Sequence, residues 1–161
     1  EDYSKVVLIV SDGDGSPYIE KALNKGIPIC LHAHGDNIET WQNILSAINE
    51  KQQIMLTHQT PEKIEGMHNP GGFTDGDRGV FLASHFNAKK IILFGMDFGT
   101  RIGKFSNTKK SDRKIKLKKL KIGEELLMWL ATITKSELFT TSMAIKGFKK
   151  ISYKDLDIII T

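Results

Sequence analysis

Cysteine is nearly absent from this chain: Cys30 is the only one in 161 residues. A lone cysteine excludes an internal disulfide framework and fits a reducing, cytoplasmic compartment. Its place in the apolar run "IPICL" reads as a small buried hydrophobe rather than a nucleophile. No apolar run approaches the roughly 18 residues of a membrane span, so no membrane partner is expected. Internal repeats and low-complexity linkers are also lacking. The four prolines are scattered, and two of them, Pro61 and Pro70, fall in one long loop. What remains is an ordinary soluble composition, 40% hydrophobic and 26% charged, of a length that suits one α/β domain over residues 1–161. The chain begins with Glu1 rather than Met, so a trimmed start is expected.

Acidic charge is scarce in one place. From Lys109 to Lys121, "KKSDRKIKLKKLK" holds eight Lys/Arg and one Asp, leaving 15 basic against 18 acidic residues elsewhere. The net charge of +4 therefore describes a mildly acidic body with one basic segment. Such a segment suits the phosphates of nucleic acid, a lipid surface or a nucleotide, or is simply a solvated helix face. It lacks interleaved aromatics, which counts against single-strand binding, and no nucleic-acid partner is expected.

Strand-like and helix-like patterns alternate along the chain. "KVVLIV" (Lys5–Val10), "IPICLH", "QIMLT" and "KIILFGM" read as buried strands. Between them, helices are expected after Ser16-Pro17, after Asp36 or Asn37 as a cap, and over "DRGVFLASHFN". A longer helix is expected from about Arg113 to Ile133, and "ELFTTS", "MAIKG" and "DIIIT" are expected as short C-terminal edge strands. This pattern predicts an α/β fold with a largely parallel sheet and helices on both faces. Ligands of such sheets bind beyond the carboxyl ends of the strands. The acidic residues fall there: Asp12 and Asp14 after the first strand, Asp36 after the second, Asp75 and Asp77 in the loop after the third, Asp97 after the fourth. Clustered carboxylates repel unless cations or donors offset them, so the pattern points to a cation or a polar ligand.

Four motifs compete to explain the chemistry. "HAHGDN" (His32–Asn37) has the His-x-His-x-Asp spacing of a zinc hydrolase loop, but Asn37 stands where a further histidine is needed, and no second zinc motif follows. A strand end with a helix cap explains the same residues. "SDGDGSP" puts Asp12 and Asp14 on a tight glycine loop that suits a hard cation. It is not an EF-hand, because Pro17 and Leu23 occupy that loop's glycine and glutamate positions. "GTRIGKF" is no Walker A loop, since Phe105 replaces its Ser/Thr, though Arg101 and Lys104 suit phosphate. "NPGGFTDGDRG" (Asn69–Gly79) combines paired glycines, Phe73 and two aspartates at a helix start.

In this order, and followed by "KIKLKKL", these motifs resemble the archaeal 6-hydroxymethyl-7,8-dihydropterin pyrophosphokinase family, the MptE-like proteins. The resemblance runs from about Lys5 to Leu127. It implies that the chain lacks an N-terminal segment of the family, and a fold similar to that of the thiamin pyrophosphokinases, whose clustered aspartates bind magnesium. The same domain is similar to the core of bacterial motility-associated glycosyltransferase-like proteins. The implied reaction is Mg²⁺-dependent transfer of diphosphate from ATP to the hydroxymethyl group of a reduced pterin, releasing AMP. Asp12, Asp14 and Asp36 are the expected metal ligands, with Asp14, Asp36 and Lys116 the expected catalytic set. Arg101, Lys104, Lys114 and Lys116 are the expected ATP contacts, with Arg78 a further candidate. Phe73, Asp75, Asp77, Asn37 and Asp97 are expected to contact the pterin, with Phe98 an alternative stacking ring. ATP and the pterin are the expected partners, and a homodimer is the oligomer considered. The alternatives are a zinc-dependent hydrolase on the "HAHGD" loop and an anionic-surface module on residues 109–121.

Overall fold

A computed structural model describes residues 2–99 and 112–160. It divides into two compact units, one ending at Pro70 and the other beginning at Gly71. Both are built from parallel strands and helices, the class the alternating pattern predicts. Among the described residues the strands lie in two three-stranded parallel sheets.

The first unit runs β1 (Ile9–Ser11), α1 (Tyr18–Leu23), β2 (Ile29–His32), α2 (Ile38–Ala47) and β3 (Ile54–Thr57). Its sheet has the order β1-β2-β3, with Ile9 paired to Ile29 and Ile29 to Ile54. β2 is central and buried throughout, as expected of an unbroken apolar run covered on both faces. Ile19, Leu23, Ile29, Leu31 and Ile44 form the core, flanked by Trp41 and Leu45. Cys30 is fully buried, its Sγ 3.7 Å from the Thr57 hydroxyl. The first strand is shorter than "KVVLIV" suggested, and Val7 is 83% exposed. Its pairing begins where Ile9 N–H meets the Pro28 carbonyl; Pro28 has no N–H with which to extend the ladder.

The second unit runs α3 (Asp75–His85), β4 (Lys90–Leu93), α4 (Arg113–Ile133), β5 (Glu137–Thr140), β6 (Lys149–Lys150) and α5 (Leu156–Ile160). Its sheet has the order β4-β5-β6, all parallel. Phe81, Leu93, Phe98, Leu127 and Leu138 lie in its core. α4 starts and ends where its amphipathic pattern predicts. All three expected edge strands are corrected here. "ELFTTS" supplies β5, the central strand; "MAIKG" is irregular, with β6 following it at Lys149–Lys150; and of the last run Asp157–Ile160 is helical. The cause of the last is local: Ser152 and Asp155 form a capping box, with Ser152 N–H and hydroxyl donating to Asp155 Oδ2 at 2.7 and 2.8 Å. That box commits the following residues to a helical turn. No helix among the described residues is long and apolar enough to cross a membrane.

Candidate functional site

Within the first unit, the chemistry gathers at the carboxyl ends of β1 and β2. The chain leaves β1 through Ser11-Asp-Gly-Asp14. Ser11 Oγ accepts the Gly13 N–H at 3.0 Å and Asp12 Oδ1 accepts the Asp14 N–H at 3.2 Å. Gly13 has φ +101°, and a Cβ there would lie 2.7 Å from Thr40 Cγ2, so only glycine permits this turn. The turn brings one carboxylate oxygen of Asp12 and one of Asp14 within 4.8 Å of each other.

The loop after β2 supplies the other half. His34 Nε2 lies 3.1 Å from Asp12 Oδ2, and its Nδ1 is hydrogen-bonded to Asp36 Oδ1. One imidazole thus links Asp36 to Asp12. Asn37 stands at the N-cap position of α2, but its side chain makes no capping hydrogen bond. Its Nδ2 donates to the carbonyls of Asp12 and His32, both at 2.7 Å, while its Oδ1 accepts the His34 N–H at 3.1 Å. Two acceptors and one donor fix the orientation of the amide. Asn37, expected to touch the substrate, is the bolt that fastens the two acidic loops together.

The geometry gives the zinc alternative no support. His32 is 2% exposed, with Nδ1 3.1 Å from the Thr57 hydroxyl, and both nitrogens of His34 face carboxylates. Among the described residues, His32, His34 and Asp36 form no three-ligand group. The oxygen donors of Asp12 and Asp14 fit a hard cation such as magnesium. Asp36, its side chain 87% exposed, joins them through His34 rather than directly.

Within the second unit, the Gly71–Thr74 loop opens α3. Asp77 is fully buried. Its Oδ2 accepts the Phe73 N–H at 2.5 Å, and its Oδ1 accepts the Thr74 N–H at 2.9 Å and the Thr74 hydroxyl. Arg78 is fully buried too, with Nη1 3.1 Å from the Gly71 carbonyl and Nη2 3.2 Å from that of Gly72. Asp77 and Arg78, read from sequence as ligand contacts, are therefore committed to the backbone. Phe73 and Asp75 lie on the same loop, both half-buried.

The loop after β4 lies beside the start of α3: a Cβ on Gly76 would sit 3.0 Å from Met96 Cε. Asp97 is exposed on that loop, whereas Phe98 is buried in the core and is not a stacking surface. On α4, Lys114 is exposed and Lys116 half-buried. Lys116 shares the inward stripe of Gly123, Leu127 and Leu130 by its spacing along the helix. Arg101 and Lys104 lie outside the described residues. Thr74-x-x-Asp77 is a capping-box signature, the one sequence signal that could have placed Asp77. Nothing local marks Asn37, because one of its partners is at residue 12.

Comparison with known proteins agrees with these motifs. Residues 7–103 match the family described as "6-hydroxymethylpterin diphosphokinase MptE-like". Three curated archaeal proteins are similar, each named 6-hydroxymethyl-7,8-dihydropterin pyrophosphokinase. That of Methanocaldococcus jannaschii is 42% identical over 133 residues, covering 76% of this chain and 54% of the relative. That of Pyrococcus furiosus is 36% identical over 140 residues, covering 84% and 58%. That of Methanothermobacter thermautotrophicus is 37% identical over 130 residues, covering 76% and 54%. The chain thus spans about half the length of the curated relatives it matches. No solved structure matches it. By the extent of the family match, this chain belongs to the MptE-like family of 6-hydroxymethylpterin diphosphokinases.

Proposed function

We propose that the protein to which this chain belongs transfers diphosphate from ATP to the hydroxymethyl group of 6-hydroxymethyl-7,8-dihydropterin. The observation that carries the reading is the acidic pair Asp12 and Asp14, joined to Asp36 through His34 beyond the ends of two adjacent parallel strands. Oxygen donors at that edge suit magnesium: Asp12 and Asp14 would hold it directly, with Asp36 beside them on His34. When bound, such an ion would neutralise triphosphate charge, including the charge that develops on the departing AMP.

In the reaction, the hydroxyl oxygen of the acceptor bonds to the β-phosphorus of ATP. The bond from that phosphorus to the α,β-bridging oxygen breaks, AMP leaves with that oxygen, and the hydroxyl proton passes to water. Such transfer depends mostly on orientation and charge stabilisation. Lys116 and Lys114 supply positive charge to the phosphates, with Arg101 and Lys104 as further contacts. Phe73 offers its ring to the pterin, while Asp75 and Asp97 accept hydrogen bonds from the pterin's amino and ring N–H groups. Asn37 and Asp77, expected as substrate contacts, hold the site instead. The protein's partners are thus two small molecules.

The test is incubation of the full-length protein with ATP, Mg²⁺ and the dihydropterin, with AMP quantified with and without acceptor. Acceptor-dependent AMP is the expected result; its absence refutes the reading.

A further inference from the structure

The loop that opens α3 is held by an unusual means. Asp77 and Arg78 are consecutive and both fully buried. Burying charge is costly and is tolerated only where hydrogen bonds repay it. Here the two side chains bind the backbone of four consecutive residues: Arg78 takes the carbonyls of Gly71 and Gly72, and Asp77 takes the N–H groups of Phe73 and Thr74. The glycines leave no slack. With φ +95° and +86°, a Cβ on Gly71 would lie 2.5 Å from the Phe81 ring, and one on Gly72 2.5 Å from Arg78 Cα.

A second element is shaped to suit. Gly123 sits inside α4, where glycine is a poor helix former. A Cβ there would lie 3.0 Å from Asp77 Oδ1 and 3.3 Å from Phe98 Cε1. The helix thus gives up a side chain exactly over the buried carboxylate. A mere helix cap needs neither the buried guanidinium nor this vacancy in a neighbouring helix.

We propose that Asp77 and Arg78, with Gly123 making room for them, are positioning residues for recognition of the acceptor. They fix one backbone geometry from Gly71 to Thr74, so that Phe73 and Asp75 are held ready for a flat, hydrogen-bonding heterocycle. Preorganisation of this kind acts on affinity for the group being held. This inference rests on the diphosphotransfer reading above.

The test is steady-state kinetics of the full-length protein and two variants, varying ATP and pterin separately. Gly123→Ala gains helix propensity, which offsets part of the cost of crowding Asp77, so it is expected to fold with a melting temperature within a few degrees of wild type. Its KM for the pterin is expected to rise about tenfold, with KM for ATP within about twofold of wild type. Arg78→Lys is expected to shift the same constant in the same direction, because one ammonium cannot serve both carbonyls as a guanidinium fork does. A purely structural role predicts instead a lowered melting temperature and a loss shared between substrates. Wild-type turnover with unchanged pterin KM in both variants refutes the inference alone. A wild-type protein that forms no acceptor-dependent AMP refutes the underlying reading and the inference with it.

Discussion

Replacing Asn37 separates its observed bridging role from the helix-capping role that its position suggests. As an N-cap, Asn and Asp are nearly equivalent, so Asn37→Asp would be close to neutral. As a bridge, it is not. The side chain donates to two carbonyls, at 2.7 Å each, and accepts one N–H at 3.1 Å. A neutral hydrogen bond contributes about 0.5–1.5 kcal/mol net. Three such bonds in a part-buried setting put Asn37→Ala at about 1.5–3 kcal/mol of lost stability. Asn37→Asp keeps the acceptor for His34 N–H but sets a carboxylate oxygen against two carbonyl oxygens. It is therefore expected to cost at least as much as alanine, although it is nearly isosteric. Urea denaturation followed by circular dichroism measures both variants against wild type. An aspartate variant as stable as wild type refutes the bridge and restores the cap.

Three further outcomes follow from the geometry. Asp36→Asn alters a side chain that is 87% exposed, so the change in stability is expected within about 0.5 kcal/mol. Loss of its charge beside Asp12 and Asp14 is expected to cut ATP-dependent turnover by about tenfold to a hundredfold; unchanged turnover removes Asp36 from the site. Stability near the C-terminal helix is expected to depend on acid. The Asp155 carboxyl is held below its ordinary value, chiefly by the Ser152 backbone N–H and then by the Ser152 hydroxyl. The cap is therefore fully effective above the ordinary carboxylate range and fades as pH falls through the lowered value. Amide exchange at residues 156–160 is expected to accelerate in that acid window, and Asp155→Asn to abolish the dependence. Gly72→Ala, at φ +86° with a Cβ 2.5 Å from Arg78 Cα, is expected to destabilise by more than about 1 kcal/mol in thermal denaturation; a neutral result refutes the tight loop.

The elements were legible wherever a single periodicity governed them. β2 reads as buried because Ile29 to Leu31 form an unbroken apolar run, and it pairs with a strand on each side. The bounds of α4 follow from its amphipathic stripe. Errors arose where a partner elsewhere decided the outcome. Lys5–Leu8 has strand composition, but the pairing strand offers Pro28 opposite Leu8, and the ladder begins only at Ile9. The isoleucines at 158–160 have strand propensity, yet the Ser152–Asp155 cap imposes a helix. At the site, the acidic membership was legible because strand ends collect functional groups. The division of labour was not. Asp77 and Arg78 carry charges that composition alone places in solvent or on a ligand, and only the fold shows them turned onto their own backbone. The bridging role of Asn37 is likewise invisible to local sequence, because its bond to the Asp12 carbonyl crosses 25 residues.

The central claim is the identity of the group transferred, and ³¹P NMR of the full-length protein with ATP, Mg²⁺ and 6-hydroxymethyl-7,8-dihydropterin tests it most directly. The account predicts AMP and a pterin diphosphate ester in equal amounts, with both the β- and γ-phosphorus of ATP carried to the acceptor. ADP together with a pterin monophosphate, or ATP left intact, would contradict it.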